Sequence, residues 1–146
     1  MNGEEGTLFL IKPHGRPYSE QIIHYVNGAV RQRGARIESI EIGVRIEKAF
    51  LEEFYLKLKR NLPDRYEDLE KQYMAQGGKM DFVVIRGKGI IKFLKELNGA
   101  TEYEKTRPGE IRFEWGPYKL PNNFTHASSP GESARDIAIS KKYGYI

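Results

Sequence analysis

The 146-residue chain predicts an α+β fold: a ferredoxin-like antiparallel sheet with helices covering it. Two observations carry this. Short apolar runs of strand type alternate with longer segments whose apolar residues recur at helical spacing. Their order is strand–helix–strand–helices–strand–helix–strand–helix, which contains two strand–helix–strand units. No linker, repeat or low-complexity stretch interrupts the chain, so residues 1–146 read as a single domain able to bury a substantial core.

Thr7–Lys12 is a short apolar run ended by Pro13 and Gly15, which predicts a buried strand. Ser19 is placed to cap a helix running to Arg33. Ile22, Ile23, Val26, Ala29 and Val30 form its apolar face, and Gly34 suits its stop. Isoleucine-rich Ala35–Ile42 is the second strand. Residues 46–60 form a second helix with Phe50, Phe54 and Leu58 inward. Leu62-Pro63 breaks it, and a shorter helix at 65–75 ends at Gly77-Gly78. Phe82–Ile85 is the third strand. Ile90, Ile91, Leu94 and Leu97 then repeat as a helix face, stopped by Asn98-Gly99. Residues 100–110 read as loop with a Pro108-Gly109 turn. A fourth strand lies near 124–127. A last helix covers 130–140, with Ser129 as N-cap, Pro130 at the first helical position and Glu132 three residues past the cap.

Composition narrows the function classes. The chain has no cysteine, so a disulfide framework and a thiolate metal site are both excluded. No other metal-ligand cluster stands out. The polar start lacks the pattern of a signal peptide, and no apolar run is long enough to span a bilayer. A soluble, cytoplasmic protein is expected. Net charge is +4 and the isoelectric point is near 9.2. That balance suits a polyanion, a phosphate-bearing small substrate, or solubility alone. No Lys/Arg block exceeds two residues, which argues against a specific nucleic-acid partner.

The chemistry concentrates near the end, in Asn122-Asn123-Phe124-Thr125-His126-Ala127-Ser128-Ser129-Pro130-Gly131-Glu132-Ser133-Ala134. It holds a nucleophile-capable imidazole, amides before it, hydroxyls after it, and a helix start. Backbone N–H groups and the positive dipole end there suit an anion, phosphate above all. The same residues also read as a loop histidine before an ordinary capped helix. Other candidates have plain readings too. Lys12 is a strand-end lysine. Tyr55 is a core-edge tyrosine. Lys88, Lys92 and Lys95 form a stripe that suits a solvated face.

Three motifs taken together go further. Lys12-Pro13-His14-Gly15, Arg107-Pro108-Gly109-Glu110-Ile111-Arg112 and Asn123-x-x-His126 with Glu132-Ser133-Ala134 resemble nucleoside diphosphate kinases over residues 6–140. That family has Lys-Pro-Asp-Gly, Pro-Gly-Thr-Ile-Arg and Asn-x-x-His-(Gly/Ala)-Ser-Asp-Ser, in this order. The resemblance implies that family's elaboration of the ferredoxin-like fold. It also implies transfer of the γ-phosphoryl group of a nucleoside triphosphate to a nucleoside diphosphate, by a ping-pong route through a phosphohistidine. The catalytic residue it implies is His126. The implied phosphate contacts are Lys12, Tyr55, Lys95, Thr101 and Arg112, with Asn123 on the ribose. Ser128 sits beside the histidine, and Asp136 supports it in place of a family glutamate. Tyr66 is the candidate for base stacking. Mg²⁺ arrives with the nucleotide, and a homo-oligomer is implied. The alternatives are a nucleotide-binding member of the fold with weak or no turnover, and a nucleic-acid-binding ferredoxin-like module.

The chain departs from the family at five places, one of them a turn after Gly15 that is about two residues short. His14 replaces an aspartate and reads as a turn residue. Lys95 replaces an arginine, trading a bidentate fork for a point charge. The signature aspartate between Ser128 and Ser129 is missing. Asp136 is one residue out of register with the family glutamate and one methylene shorter.

Overall fold

The computed structural model describes residues 3–116 and 123–146. Four strands form one sheet: β1 (Glu4–Ile11), β2 (Arg36–Arg45), β3 (Lys79–Lys88) and β4 (Thr125–Ala127). Their order is β2-β3-β1-β4, and each neighbouring pair is antiparallel. The α1 helix (Ser19–Gln32) connects β1 to β2, and α5 (Ile90–Asn98) connects β3 to β4. Each connection skips one strand, so the layout is the expected interlocked pair of strand–helix–strand units.

The pleat sends alternate side chains to opposite faces. Phe9, Ile11, Val83 and Ile85 face one way and pack with Ile22, Val26 and Val30 of α1 and Ile90 and Leu94 of α5. Leu8, Leu10, Phe82 and Val84 face the other way. There they meet α2 (Lys48–Phe54), α4 (Pro63–Ala75) and α7 (Ser133–Lys142) through Phe50, Leu51, Phe54, Tyr66, Tyr73 and Ile139. Helices therefore cover both faces. This is why the first strand reads as an unbroken apolar run instead of an alternating one.

Several boundaries differ from the sequence expectation. The helix expected over 46–60 is two helices, α2 and α3 (Leu56–Asn61), divided at Tyr55. Tyr55 leaves helical geometry at φ −104°, ψ 31°. Its ring sits edge-on to Phe54, and its hydroxyl lies 3.1 Å from that of Tyr73. α4 begins at Pro63 itself, where a missing N–H costs nothing. Ser19 does not cap α1; it is the first helical residue, and its hydroxyl donates to the buried Asp81 carboxylate. A short 3₁₀ turn, Pro13–Tyr18, precedes it. The loop expected over 100–110 contains a 3₁₀ turn at Tyr103–Lys105 and leads into α6 (Ile111–Trp115). Ser129 does not cap the last helix, which starts at Ser133. The Ser129 carbonyl instead accepts from the N–H groups of Glu132 and Ser133, at 2.9 and 3.1 Å.

Two strand features fix the site. The Lys12 N–H donates to the Phe124 carbonyl at 2.9 Å, joining the end of β1 to the lead into β4. Gly15 permits that approach, because a Cβ there would lie 2.8 Å from the same carbonyl oxygen. No described helix is long and apolar enough to cross a membrane.

Candidate active site

His126 is the middle residue of β4 and pairs with Leu10. Its neighbours Thr125 and Ala127 are buried; Ala127 belongs to the α1/α5 layer, so the pleat aims the imidazole at the opposite layer. There it meets the Phe54 ring edge-on at 5.4 Å. Its Nε2 lies 3.2 Å from Oδ2 of Asp136, in the first turn of α7. The Ser128 hydroxyl donates to the same oxygen at 2.7 Å, and Arg135 Nη1 lies 3.3 Å from Oδ1. A carboxylate facing Nε2 favours the tautomer with its proton there, which leaves the Nδ1 lone pair free. Burial holds the imidazole below its ordinary pKa, opposed by the Asp136 hydrogen bond and assisted by the Lys12 and Lys95 charges. The ring is therefore neutral at pH 7 and able to act as a nucleophile.

Cations surround it. Lys12 is 3% exposed, and burial, followed by the charges of Arg112 and Lys95, lowers its pKa to about 7. Arg112 is also buried and is held as a fork. Nη2 donates to the Thr125 carbonyl at 2.7 Å and to Asn123 Oδ1 at 2.9 Å, while Nη1 donates to the Gly99 carbonyl at 3.1 Å and lies 3.5 Å from Thr101 Oγ1. Its Nε has no hydrogen-bond partner among the described residues. Asn123 adopts φ 65°, a left-handed geometry that asparagine tolerates. Lys95 does not belong to a solvated stripe. Its Nζ donates to the Ala127 carbonyl, next to His126, at 3.2 Å, whereas Lys92 reaches only Glu96 in solvent and Lys88 ends β3. Burial and Arg112 lower the Lys95 pKa.

Two clefts open here. One of 770 Å³ is lined by His126, Asp136, Arg135, Glu132, Tyr55 and residues of the flanking α2 and α3. The other, of 430 Å³, is lined by Lys12, His14, Thr101, Asn123, Tyr73 and a face of α4. Leu58 borders both. The Tyr55–Tyr73 hydroxyl pair lies between them. Burial pushes the Tyr55 phenol up to about 12, so both hydroxyls stay protonated donors. Among the described residues, no group of three or more His, Asp or Glu is placed to hold a metal ion. A neutral imidazole ringed by lysine and arginine, beside a roomy cleft, suits a phosphate chain.

A family model for nucleoside diphosphate kinase matches residues 5–140. The chain belongs to the nucleoside diphosphate kinase family. It is an enzyme of phosphoryl transfer between nucleotides. It is 29% identical over 140 residues to a nucleoside diphosphate kinase of Streptococcus pneumoniae, covering 92% of this chain and 98% of that one. One from Cutibacterium acnes is 28% identical, covering 95% and 96%. Among solved structures, the kinase of Aquifex aeolicus superposes with TM-score 0.71 at 28% identity, covering 93% of this chain and 94% of that one. The Halobacterium salinarum kinase, solved with CDP, reaches TM-score 0.76 at 23% identity, covering 93% and 86%, and supports the fold.

The residues singled out by family resemblance converge. Asp136 contacts His126, Ser128 donates to the same carboxylate, the charges of Lys12 and Lys95 act on the ring, and Tyr55 lines its cleft; Thr101 and Asn123 contact Arg112 and line the smaller cleft with Lys12. Tyr66 does not lie there as a stacking platform: it is 3% exposed, packed in the core, with Lys59 Nζ 5.5 Å from its ring centre. His14 is a buried wall of the smaller cleft, 6.2 Å from the Tyr73 ring, and not simply a turn residue. Sequence reasoning missed Tyr73, Phe54 and Arg135. Phe54 and Tyr73 are core-type aromatics at helical spacing, so nothing local marks them out.

Proposed function

We propose that the chain moves the γ-phosphoryl group of a nucleoside triphosphate to a nucleoside diphosphate in two half-reactions through a phosphohistidine at His126. Nδ1 attacks the γ-phosphorus, the P–O bond to the β-phosphate breaks, and the diphosphate leaves with that electron pair. A second diphosphate then attacks the phosphorus through a terminal oxygen. The P–N bond breaks and its electron pair returns to Nδ1. The observation that carries this is the 3.2 Å approach of Asp136 to Nε2, which orients the ring and stabilises the charge it gains on phosphorylation.

Lys12, Lys95 and the charge of Arg112 neutralise the moving group, Tyr55 and Thr101 supply neutral donors, and Asn123 takes the ribose. Mg²⁺ enters as part of the nucleotide substrate and neutralises phosphate charge. The proposal extends to a cytoplasmic homo-oligomer. It is supported by the edge strand β2, which exposes Ile40 and Ile42. The kinetic test varies ATP at several GDP concentrations. Parallel double-reciprocal lines are expected. Intersecting lines, which mark a ternary complex, overturn the two-step route.

A further inference from the structure

The nucleophile and the phosphate-binding groups open onto different clefts. His126 and Tyr55 line the larger one; Lys12, Thr101 and Asn123 line the smaller. A phosphoryl group passing from a nucleotide to His126 must cross between them, and two phenols stand at that crossing. Tyr73 lines the smaller cleft, Tyr55 the larger, and their hydroxyl oxygens are 3.1 Å apart. The charge of Arg112 reaches both phenols, and that of Asp136 reaches Tyr55. The two are not equally fixed. Tyr55 sits at the break between α2 and α3, outside helical geometry. Tyr73 belongs to α4 and is 1% exposed, packed in the core.

A phenol hydroxyl has one proton to donate. If Tyr55 donates its proton to Tyr73, it offers a phosphate only lone pairs, which an anion repels. If Tyr73 donates instead, the Tyr55 proton is free for the ligand. An anion between the clefts selects the second arrangement, and the first hydrogen bond then polarises the second. We propose, resting on the phosphohistidine reading above, that Tyr73 is a positioning residue for phosphoryl transfer: its hydroxyl donates to that of Tyr55 and turns the Tyr55 proton onto the phosphoryl group in transit. Burial raises the pKa of both phenols, that of Tyr55 to about 12, so neither gives up its proton. The bonds that change are those of the two half-reactions above: P–O to the β-phosphate breaks and P–N to His126 forms.

A double-mutant cycle on the single-turnover labelling of His126 by γ-labelled ATP tests this. It compares the unmodified chain, Tyr55→Phe, Tyr73→Phe and the double variant; phenylalanine keeps each ring and removes only the hydroxyl. Tyr55→Phe is expected to slow labelling by about one to two decades, the scale of one hydrogen bond to a charged group. Tyr73→Phe is expected to slow it about fivefold, the scale of one neutral hydrogen bond. The double variant is expected to be no slower than Tyr55→Phe alone, because Tyr73 acts only through Tyr55. A merely structural Tyr73 would shift the unfolding midpoint without this coupling. Labelling of Tyr73→Phe at the unmodified rate overturns the proposal, and so do losses that multiply in the double variant; both results leave the phosphohistidine reading standing. Absence of label on His126 in the unmodified chain overturns that reading, and this proposal with it.

Discussion

Asp136 stands 3.2 Å from Nε2 of His126 although the sequence sets it out of register with the family glutamate and makes it one methylene shorter. The late start of α7 resolves this. The helix begins at Ser133, so Asp136 falls in its first turn, directly beneath β4. Ser128 completes the arrangement by donating to the same carboxylate oxygen.

The Asp136→Ala variant is expected to lose about one to two decades of kcat/KM, the scale of one hydrogen bond to a charged group. It should also lower the His126 pKa further, because the Asp136 hydrogen bond raises it. Steady-state kinetics and an NMR titration of the ring check the two effects. Unchanged turnover removes Asp136 from the mechanism.

Lys12 and Arg112 come from opposite ends of the chain to one group of phosphates. Lys12→Ala is expected to cost two to three decades in kcat/KM, on the order of 2–4 kcal/mol for a preorganised donor. Arg112→Ala is expected to lose activity and also stability. It is buried and donates to the Gly99 and Thr125 carbonyls as well as Asn123, so its loss leaves buried acceptors unpaired. Melting curves separate the two variants. Near wild-type rates in both place the phosphates elsewhere.

Lys95 and Lys92 are three residues apart on α5 and differ in role. Lys95→Ala is expected to lower transfer by about one to two decades, the scale of one charged hydrogen bond, and Lys92→Ala to leave it within about twofold, since an exposed i,i+4 pair contributes little. Lys95→Arg should hold or raise the rate, because a guanidinium adds a second parallel hydrogen bond to phosphate. Equal, negligible effects of the two alanine variants return Lys95 to the solvated face.

The fold was legible because periodicity reports burial. Ile22, Val26 and Val30 marked α1, and the run at Leu8–Ile11 marked a strand buried on both faces. The break at Tyr55 was not legible, because no Gly or Pro marks it and the hydroxyl partner of Tyr55, Tyr73, lies 18 residues away. Motifs marked the residues of the cationic ring, but not the direction of Lys95. Its helical phase is shared with lysines in solvent, and only the neighbouring β4 carbonyl draws it inward. Tyr66 misled for a related reason: a tyrosine in an amphipathic helix does not declare which layer its ring joins.

Buried Lys12 makes the ligand-free protein less stable at neutral pH than at moderately alkaline pH. Its folded pKa is about 7 and its ordinary value 10.5, so between them the unfolded chain binds the extra proton. Stability must then rise with pH across that window, by up to roughly 1.4 kcal/mol per unit, with the full penalty present below pH 7. Tyr55, pushed up to about 12, reverses the slope once unfolded tyrosine ionises near pH 10. Denaturation of the ligand-free chain between pH 6 and about 9.5 checks this, and Lys12→Met is expected to flatten the rise. A nucleoside triphosphate should restore the charge, so its binding near pH 8 takes up a proton, measurable by calorimetry in two buffers. A flat profile for the unmodified chain contradicts the assignment.

The covalent step is tested most directly by incubating the protein with γ-labelled ATP and mapping the label. Acid-labile, base-stable phosphate on His126 is expected, discharged by added nucleoside diphosphate and absent from His126→Ala. Label that survives in His126→Ala, or that resides on a serine, contradicts the account.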